Sequence, residues 1–563
     1  MKLSFLLMQS KINPMMKILF LVFSLLLSAS SFCQHGQLNL SDDFKISEND
    51  DYKDQTVANS VFHDNFFYTA TNSGIGSHYK WLFTKLYDMK YAITLAKFDR
   101  SMKKISELTL ENGSKVFGPL QPRLLLINNK LCLAYFRSDE NSSFDLYLSL
   151  VDDKNLKLIE PKKICTIQQE NVGIFKLESV IKSGMVFFTS SANNNKTLVS
   201  CNSAPNTILD FVVDSELNMI KKSVVHTNTT DFKITKAALT KDNLECLVLQ
   251  SEEDTKLVCI NPGGKKNEMK INLPGGSKPY NVNITESADS KYIYAYSSIS
   301  ASEEDGGGCN GFFLAQLDCS TMKSAAPRVY PFSPEFIEGI CKKGGGTKHK
   351  RDYFMYNFDA RLIELPNGEV AIAGSPQEVS VDTRSKPASA LNNKTRLEST
   401  TTQNTGPILV FFPDTHAKTF ETAVIPRSSS LSRSAESGSG IVQIVQSPFV
   451  ASSSAGFIAM GSGNDILIFY NDNEDNLAKD VNEKIVESHT TKNMVLAEAL
   501  IDKDKKLQYR KQLGQNIKGA YTYFLGNVNP VSSSTLVFPV AKQGINFNAR
   551  KIIYTNWCFL DVK

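Results

Sequence analysis

The stretch Arg123-Leu-Leu-Leu-Ile-Asn-Asn-Lys-Leu-Cys-Leu-Ala-Tyr-Phe136 decides the fold class, together with Asp145-Leu-Tyr-Leu-Ser-Leu-Val-Asp152 and Leu156-Lys-Leu-Ile-Glu-Pro-Lys-Lys-Ile164. Turn chemistry at Asn128-Asn129 splits the first part into two strand-length runs. A polar loop, Ser138 to Ser143, separates these from the third run, and a short turn leads to the fourth. Four runs of Leu, Val, Ile, Tyr and Phe punctuated by Asn, Asp and Ser predict a four-stranded antiparallel meander.

Outward from this stretch the same unit recurs. Its landmark is an apolar residue followed by Asp or Asn and a turn at the end of each third strand. It stands at Phe98-Asp99, Val151-Asp152, Val213-Asp214, Ile260-Asn261, Leu317-Asp318, Pro413-Asp414, Ile501-Asp502 and Leu560-Asp561. Asp and Asn suit that place because their side chains hydrogen-bond the backbone of the turn they open. Hairpins precede the landmarks: Val57 to Phe62 with Phe66 to Ala70, Ile234 to Leu239 with Glu245 to Gln250, Val282 to Glu286 with Lys291 to Tyr296, and Leu362 to Leu365 with Val370 to Gly374. The third unit is expected to use Phe175 to Ile181 and Met185 to Thr189. The seventh is expected to use Ile441 to Val445, Gly456 to Met460 and Val495 to Ile501.

A repeat of roughly 50–60 residues made of four short strands resembles the blade of a β-propeller. The resemblance is to bacterial propeller repeats in general and covers nearly the whole mature chain; no WD, kelch or sialidase tag is present. It implies an all-β ring of eight blades, with seven as the alternative count. The last unit lacks a fourth strand, and Gln37 to Ile46 is left over to supply it, so strands from both termini would close the ring and remove its open edge.

Of 563 residues 42% are hydrophobic, and the net charge of +4 gives no field that points to nucleic acid or an anionic membrane. Residues 1–33 read as a signal peptide: Lys11 and Lys17, an apolar run from Ile18 to Leu27, and small residues from Ser28 to Ser31. The leader resembles those of secreted Bacteroidetes proteins. It implies an extracytoplasmic location, periplasmic or secreted, with outer-membrane association left open. Cys33 is not expected to carry a lipid, because bulky Phe32 precedes it. Residues 34–563 are expected to form one domain without a transmembrane segment. No close CxxC pair stands among the remaining cysteines, so no metal site and no cofactor are expected. Cys246 and Cys259 flank one hairpin turn, and either a bridge or two free thiols fits that placement.

In a meander, the first-to-second and third-to-fourth connections emerge on one face. The second-to-third and blade-to-blade connections emerge on the other. The long segments fall in the second class: Thr71 to Tyr91, Ser191 to Thr207, Ser300 to Gly311, Ser333 to Tyr356, Ser375 to Pro407, Arg427 to Gly440 and Gly461 to Asn493. Long loops on a rigid scaffold are where binding concentrates, although the two Ser/Thr-rich ones, Ser375 to Pro407 and Arg427 to Gly440, have a composition that also fits disorder.

The candidate ligand-binding residues on these loops are His78, Tyr79 and Trp81, suited to stacking on a sugar or peptide, and the basic Lys348, His349 and Arg351, suited to an anion. Asn471-Asp-Asn-Glu-Asp-Asn476 offers oxygens but lacks the Gly and closing Glu of a calcium loop. No nucleophile elbow or zinc-protease helix is present, so the catalytic residues, if any, are unassigned. These readings lead to a binding protein whose loop-rich face holds a protein, peptide or glycan. A glycan hydrolase or lyase, or a scaffold subunit of an envelope complex, are the alternatives.

Overall fold

The computed structural model describes residues 36–40, 44–45, 60–75, 90–99, 103–111, 122–138, 143–168, 186–191, 195–204, 206–227, 232–301, 308–341, 346–348, 353–386, 396–414, 417–437, 456–479, 483, 485–489, 494–513, 521–523, 525, 529–530, 535–542 and 554–562. Strands β1 (Gly36–Leu40) and β2 (Phe44–Lys45) come first. Blade one is β3 (Ser60–His63), β4 (Phe66–Ile75), β5 (Lys90–Phe98) and β6 (Lys104–Glu111). Blade two is β7 (Arg123–Ile127), β8 (Lys130–Ser138), β9 (Ser143–Asp152) and β10 (Lys157–Gln168). Blade three is β11 (Val186–Ser190), β12 (Lys196–Ala204), β13 (Thr207–Asp214) and β14 (Met219–His226). Blade four is β15 (Lys233–Leu239), β16 (Glu245–Gln250), β17 (Thr255–Ile260) and β18 (Lys266–Lys270).

Blade five is β19 (Lys278–Glu286), β20 (Tyr292–Ser300), β21 (Cys309–Asp318) and β22 (Arg328–Pro331), followed by helix α1 (Pro334–Ile340) and the hairpin β23 (Gly346–Lys348), β24 (Tyr353–Met355). In blade six, β25 (Arg361–Glu364) and β26 (Val370–Gly374) are separated by β27 (Gln377–Lys386) and β28 (Arg396–Thr405) from β29 (Ile408–Pro413) and β30 (Phe420–Ile425); β31 (Ser429–Ser437) follows. Blade seven is β32 (Phe457–Ser462), β33 (Asp465–Asn473), the one-turn helix α2 (Glu474–Leu477), β34 (Met494–Ile501) and β35 (Leu507–Gln512). Blade eight is β36 (Tyr521–Tyr523), β37 (Asn529–Pro530), β38 (Thr535–Lys542) and β39 (Tyr554–Val562). No described helix is long and apolar enough to cross a membrane.

The fold is an eight-bladed β-propeller. Eight antiparallel sheets succeed one another, seven of them four-stranded. In the eighth, β1 pairs antiparallel with β39 from Gly36↔Val562 to Leu40↔Cys558, so the expected closing strand is present. At the same seam β37 packs against β3 of blade one.

Each central strand is apolar on both sides because it faces a neighbouring blade on each. On β20, Ile293, Ala295 and Ile299 enter the core shared with blade four, whereas Tyr294 and Tyr296 enter the core shared with blade six. On β33, Ile466, Ile468 and Tyr470 face blade six, and Leu467 and Phe469 face blade eight. Period-2 alternation thus distributes one strand between two cores. A buried Leu, Ile, Val or Phe contributes about 1.5–3 kcal/mol, so these seams dominate the stability of the ring.

The repeat landmark does what its chemistry predicts. Asp99 Oδ1 accepts from Lys103 N at 2.9 Å, Asp152 Oδ1 from Lys154 N at 3.0 Å, Asp214 Oδ1 from Asn218 N at 2.8 Å and Asn261 Oδ1 from Lys265 N at 2.8 Å. Asp318 Oδ1 accepts from Thr321 N at 2.7 Å, Asp414 Oδ1 from Ala417 N at 3.1 Å and Asp502 Oδ1 from Lys506 N at 2.9 Å.

A second regularity joins the blades. The outer strand of one blade reaches the third-to-fourth turn of the next. Lys162 Nζ of β10 donates to Glu216 O at 2.8 Å, and Lys221 Nζ of β14 to Asn261 O at 2.7 Å. Asn267 Nδ2 of β18 donates to Met322 O at 2.6 Å, and Tyr330 Oη of β22 to Asp414 O at 3.1 Å. From blade seven, Lys505 Nζ meets Glu421 of β30 at 2.7 Å. Between blades one and two the reach comes from the third strand, Lys97 Nζ donating to Asp153 O at 2.8 Å. Every latch joins a blade to its successor.

Three expectations are corrected. In blade three the first strand is β11 and the second is β12, which lies inside the expected loop Ser191 to Thr207; residues 175–181 are outside the described residues. Its polar side chains mislead: Thr197 and Ser200 are fully buried beside Leu198 and Val199. In blade seven the hairpin is β32–β33, turned tightly at Gly463, whose φ of 58° needs glycine's freedom. The run Ile466 to Tyr470 is therefore core and not loop, and residues 441–445 are outside the described residues. Finally, the Ser/Thr-rich segments after Ser375 and Arg427, whose composition also fits disorder, contribute β27, β28 and β31 to a three-stranded sheet.

Candidate functional site on the elaborated face

The sequence already separates a plain face from an elaborated one, and on the latter the structure concentrates built features at blades five to seven. The β26–β29 connection and the segment after β30 combine into the sheet β27-β28-β31, which stands off the propeller. Its register aligns Glu378 with Asn404 and Asn404 with Ser430; two residues on, Ser380, Thr402 and Ser432 align in the same way. With period-2 strands these groups share one face. They are hydrogen-bonded across the strands: Asn404 Nδ2 donates to Glu378 Oε2 at 3.0 Å, Ser430 Oγ to Asn404 Oδ1 at 2.8 Å, and Thr402 Oγ1 and Ser432 Oγ lie 2.8 Å apart. Continued in register, the face carries Asp382 and Thr400. It is a flat ladder of hydroxyls, amides and carboxylates.

The foot of this sheet is a buried polar node. Arg427, 3% exposed, donates from Nη2 to Ser375 Oγ at 3.0 Å and from Nε to Gly406 O at 3.3 Å, and Ser375 Oγ donates to the same Gly406 O at 3.0 Å. Burial lowers the Arg427 pKa to about 10, with Asp472 opposing the shift. Asp472 accepts from Asn473 N at 2.8 Å and from Asn476 Nδ2 at 2.9 Å through Oδ1, while its buried Oδ2 has no hydrogen-bond partner among the described residues. Burial raises this carboxyl to about 6, against the pull of Asn476, Asn473 and the two arginines 427 and 510.

The run 471–476 is thereby explained without a cation. Asn471 Nδ2 donates to Tyr523 O at 2.7 Å. Asn473 caps α2 through Asp475 N at 3.0 Å. Asn476 ties down the following loop by accepting from Val486 N at 2.7 Å. That loop in turn pairs with the foot of β31, Ser430 N donating to Ser488 O at 2.9 Å and Ser488 N to Ser428 O at 3.0 Å.

Between blades five and six the connection closes over an aromatic cluster. Phe332 stacks on Phe411 with centroids 5.3 Å apart, and Phe312 on Tyr330 at 4.8 Å. Gly374 is required here, since a Cβ would lie 2.0 Å from Phe358 Cδ2. Ser333 caps α1 by accepting from Phe336 N at 3.2 Å.

Of the residues singled out in the sequence, Lys348 ends β23 opposite Tyr353. His78, Tyr79, Trp81, His349 and Arg351 lie outside the described residues. Sequence reading missed Ser428, Glu487 and His489, which the fold brings together. Ser428 Oγ is 3.4 Å from Glu487 Oε1, and His489 Nε2 is 3.5 Å from Glu487 Oε2. Serine and imidazole both face the carboxylate and not each other, so the set lacks the nucleophile–base contact of a triad.

No family model matches this chain, and no curated protein matches it. Among solved structures, it is similar to the WD40 domain of SCAP from fission yeast at 8% identity, covering 85% of this chain and 93% of that one with a TM-score of 0.33. It is similar to the dihydro-heme d1 dehydrogenase NirN at 11% identity, covering 83% and 73% with a TM-score of 0.32. For hydrazine synthase of Kuenenia stuttgartiensis the values are 11%, 51% and 73%, with a TM-score of 0.28. Likenesses at this level carry no argument about function, and the architecture rests on the order of the sheets.

Proposed function

We propose that the protein is an extracytoplasmic binding protein that holds a polar polymer, a glycan or an extended peptide, on its elaborated face. The projecting sheet β27-β28-β31 carries this reading. Two connections from different places in the chain are spent on one flat surface, and that surface presents Ser, Thr, Asn and carboxylate groups in register. Such groups match the alternating donors and acceptors of sugar hydroxyls or peptide amides. The buried Arg427 node fixes the foot of the sheet to blades six and seven, so the surface is held before a ligand arrives and less ordering entropy is lost on binding. The leader at residues 1–33 supports the compartment.

The test is binding of the mature chain to glycan and peptide arrays, alongside a variant in which residues 378–404 are replaced by a short Gly-Ser turn. A ligand retained by the mature chain and lost by the variant, with the thermal transition of the propeller preserved, is the expected result. Binding that survives removal of the sheet would sink the reading. The alternative, a propeller hydrolase, draws on Glu487 and His489; turnover of a bound glycan that disappears in E487Q would favour it.

A further inference from the structure

We propose that the seam between blades one and two, on the plain face, holds a divalent transition-metal ion through His63, Asp64 and Asp153. One ligand atom from each residue lies within 4.8 Å of the other two. His63 and Asp64 sit at the β3–β4 turn, where Asp64 and Asn65 have φ of 46° and 69°. Asp153 comes from the β9–β10 turn of the following blade. The turn there is already capped by its neighbour Asp152, which accepts from Lys154 N at 3.0 Å. The Asp153 carboxylate is thus not needed for the turn.

The distances suit ligands better than hydrogen bonds. His63 Nε2 is 3.5 Å from Asp64 Oδ2, too long for a good hydrogen bond. It is close to the ~3.4 Å that separates two ligands on a tetrahedral ion with bonds of about 2.1 Å.

Buried polar groups lie in and beside the set. His63 is 7% exposed, and its Nδ1 is buried with no hydrogen-bond partner among the described residues. Tyr68, whose ring centroid lies 6.2 Å from that of His63, is fully buried, and its hydroxyl has no hydrogen-bond partner among the described residues. Lys97 Nζ donates to the main-chain Asp153 O at 2.8 Å and lies 4.1 Å above the Phe66 ring. Two carboxylates and one ammonium leave the pocket negative before an ion enters.

An imidazole among the ligands selects zinc-like ions over calcium or magnesium, which prefer oxygen alone. Three protein ligands leave a coordination position for water or a ligand oxygen.

The experiment is calorimetric titration of the mature chain with Zn²⁺ and with Ca²⁺, and the absorption spectrum of the Co²⁺ complex. One equivalent of Zn²⁺ should bind, and the cobalt spectrum should lack a thiolate charge-transfer band. Asp64→Asn, at a side chain 60% exposed, and Asp153→Asn should each weaken binding at least tenfold, whereas His489→Ala, whose carboxylate contact has no third ligand, should not. Absence of Zn²⁺ binding, a thiolate band, tighter binding of Ca²⁺, or affinity unchanged in both aspartate variants would each overturn the proposal.

Discussion

Asp210 is the residue whose replacement says most about how the seams work. It lies in mid-strand on β13, in register with Ser200 and Ser223. It is 1% exposed, and neither of its oxygens has a hydrogen-bond partner among the described residues. Across the seam, the fully buried Glu245 is paired with Lys221 at 2.7 Å. Burial raises the Asp210 pKa to about 7; the Glu245 charge adds to the rise, while Ser200 and Lys221 pull the other way. In the unfolded chain the value is about 3.9.

Between these two values the native state holds a proton that the unfolded state has released. Stability therefore falls as pH rises from about 4 to about 7 and levels off above. A rise of about three units at 1.36 kcal/mol each gives about 4 kcal/mol as an upper bound. The D210N variant keeps the Lys221–Glu245 pair and mimics the protonated acid. It should lie within about 1 kcal/mol of the parent near pH 4.5 and exceed it by up to about 4 kcal/mol at pH 8. Urea midpoints of both proteins at pH 4.5, 6 and 8, at constant ionic strength, measure this. Parallel curves, or a D210N protein that is the weaker at pH 8, would refute the reasoning.

Cys246 and Cys259 are register partners on β16 and β17, and their sulfurs lie 2.7 Å apart, closer than unbonded sulfurs rest. A non-reduced digest of the protein should therefore find the two peptides joined, and free thiols at both positions would end that expectation. Deleting residues 36–46 strips β39 of its outer partner, so the thermal transition should fall and broaden; an unchanged transition would show that closure contributes nothing. Asp318 collects bonds from Ser320 and Thr321, which hold its pKa at about 2, well below the usual carboxylate value. D318A should therefore unfold at a lower temperature than the parent at pH 5. The gap should close as pH falls toward 2, where the parent's carboxylate is itself protonated, and a pH-independent gap would assign the loss to something other than the charge.

What was legible in the sequence was local. An Asp or Asn that caps its own turn betrays itself within four residues, so the landmark placed the blades correctly, and Gln37 to Ile46 could be assigned by counting the strand left over. β12 and β33 were misread for opposite reasons. Thr197 and Ser200 look like loop residues but are buried in a strand that both neighbouring blades cover. The run Ile466 to Tyr470 has a strand's composition, but the two-residue turn at Gly463 carries so little signal that the whole span Gly461 to Asn493 reads as one long loop. The hydroxyl-rich strands β27, β28 and β31 carry no apolar alternation, since neither face is buried along its whole length, and period-based reading has nothing to grip.

The buried node at Arg427 and the set His63, Asp64 and Asp153 were invisible for another reason. Their members come from different blades, and only blade-to-blade packing joins them. The candidate residues His78, Tyr79, Trp81, His349 and Arg351 fall outside the described residues, so of the sequence-derived candidates only Lys348 has a place in the fold.

The latches between blades have a consequence for how such a chain is assembled over generations. In four of the six joints described, an outer strand reaches an accepting turn, and there the acceptors are main-chain oxygens: Glu216 O, Asn261 O, Met322 O and Asp414 O. A main-chain socket is present whatever side chain stands there. The plugs accordingly differ, with Lys, Asn and Tyr serving in turn. A duplicated unit would bring both halves of the joint with it and fit its new neighbours without further change. Side chains at the sockets are then free to differ from blade to blade.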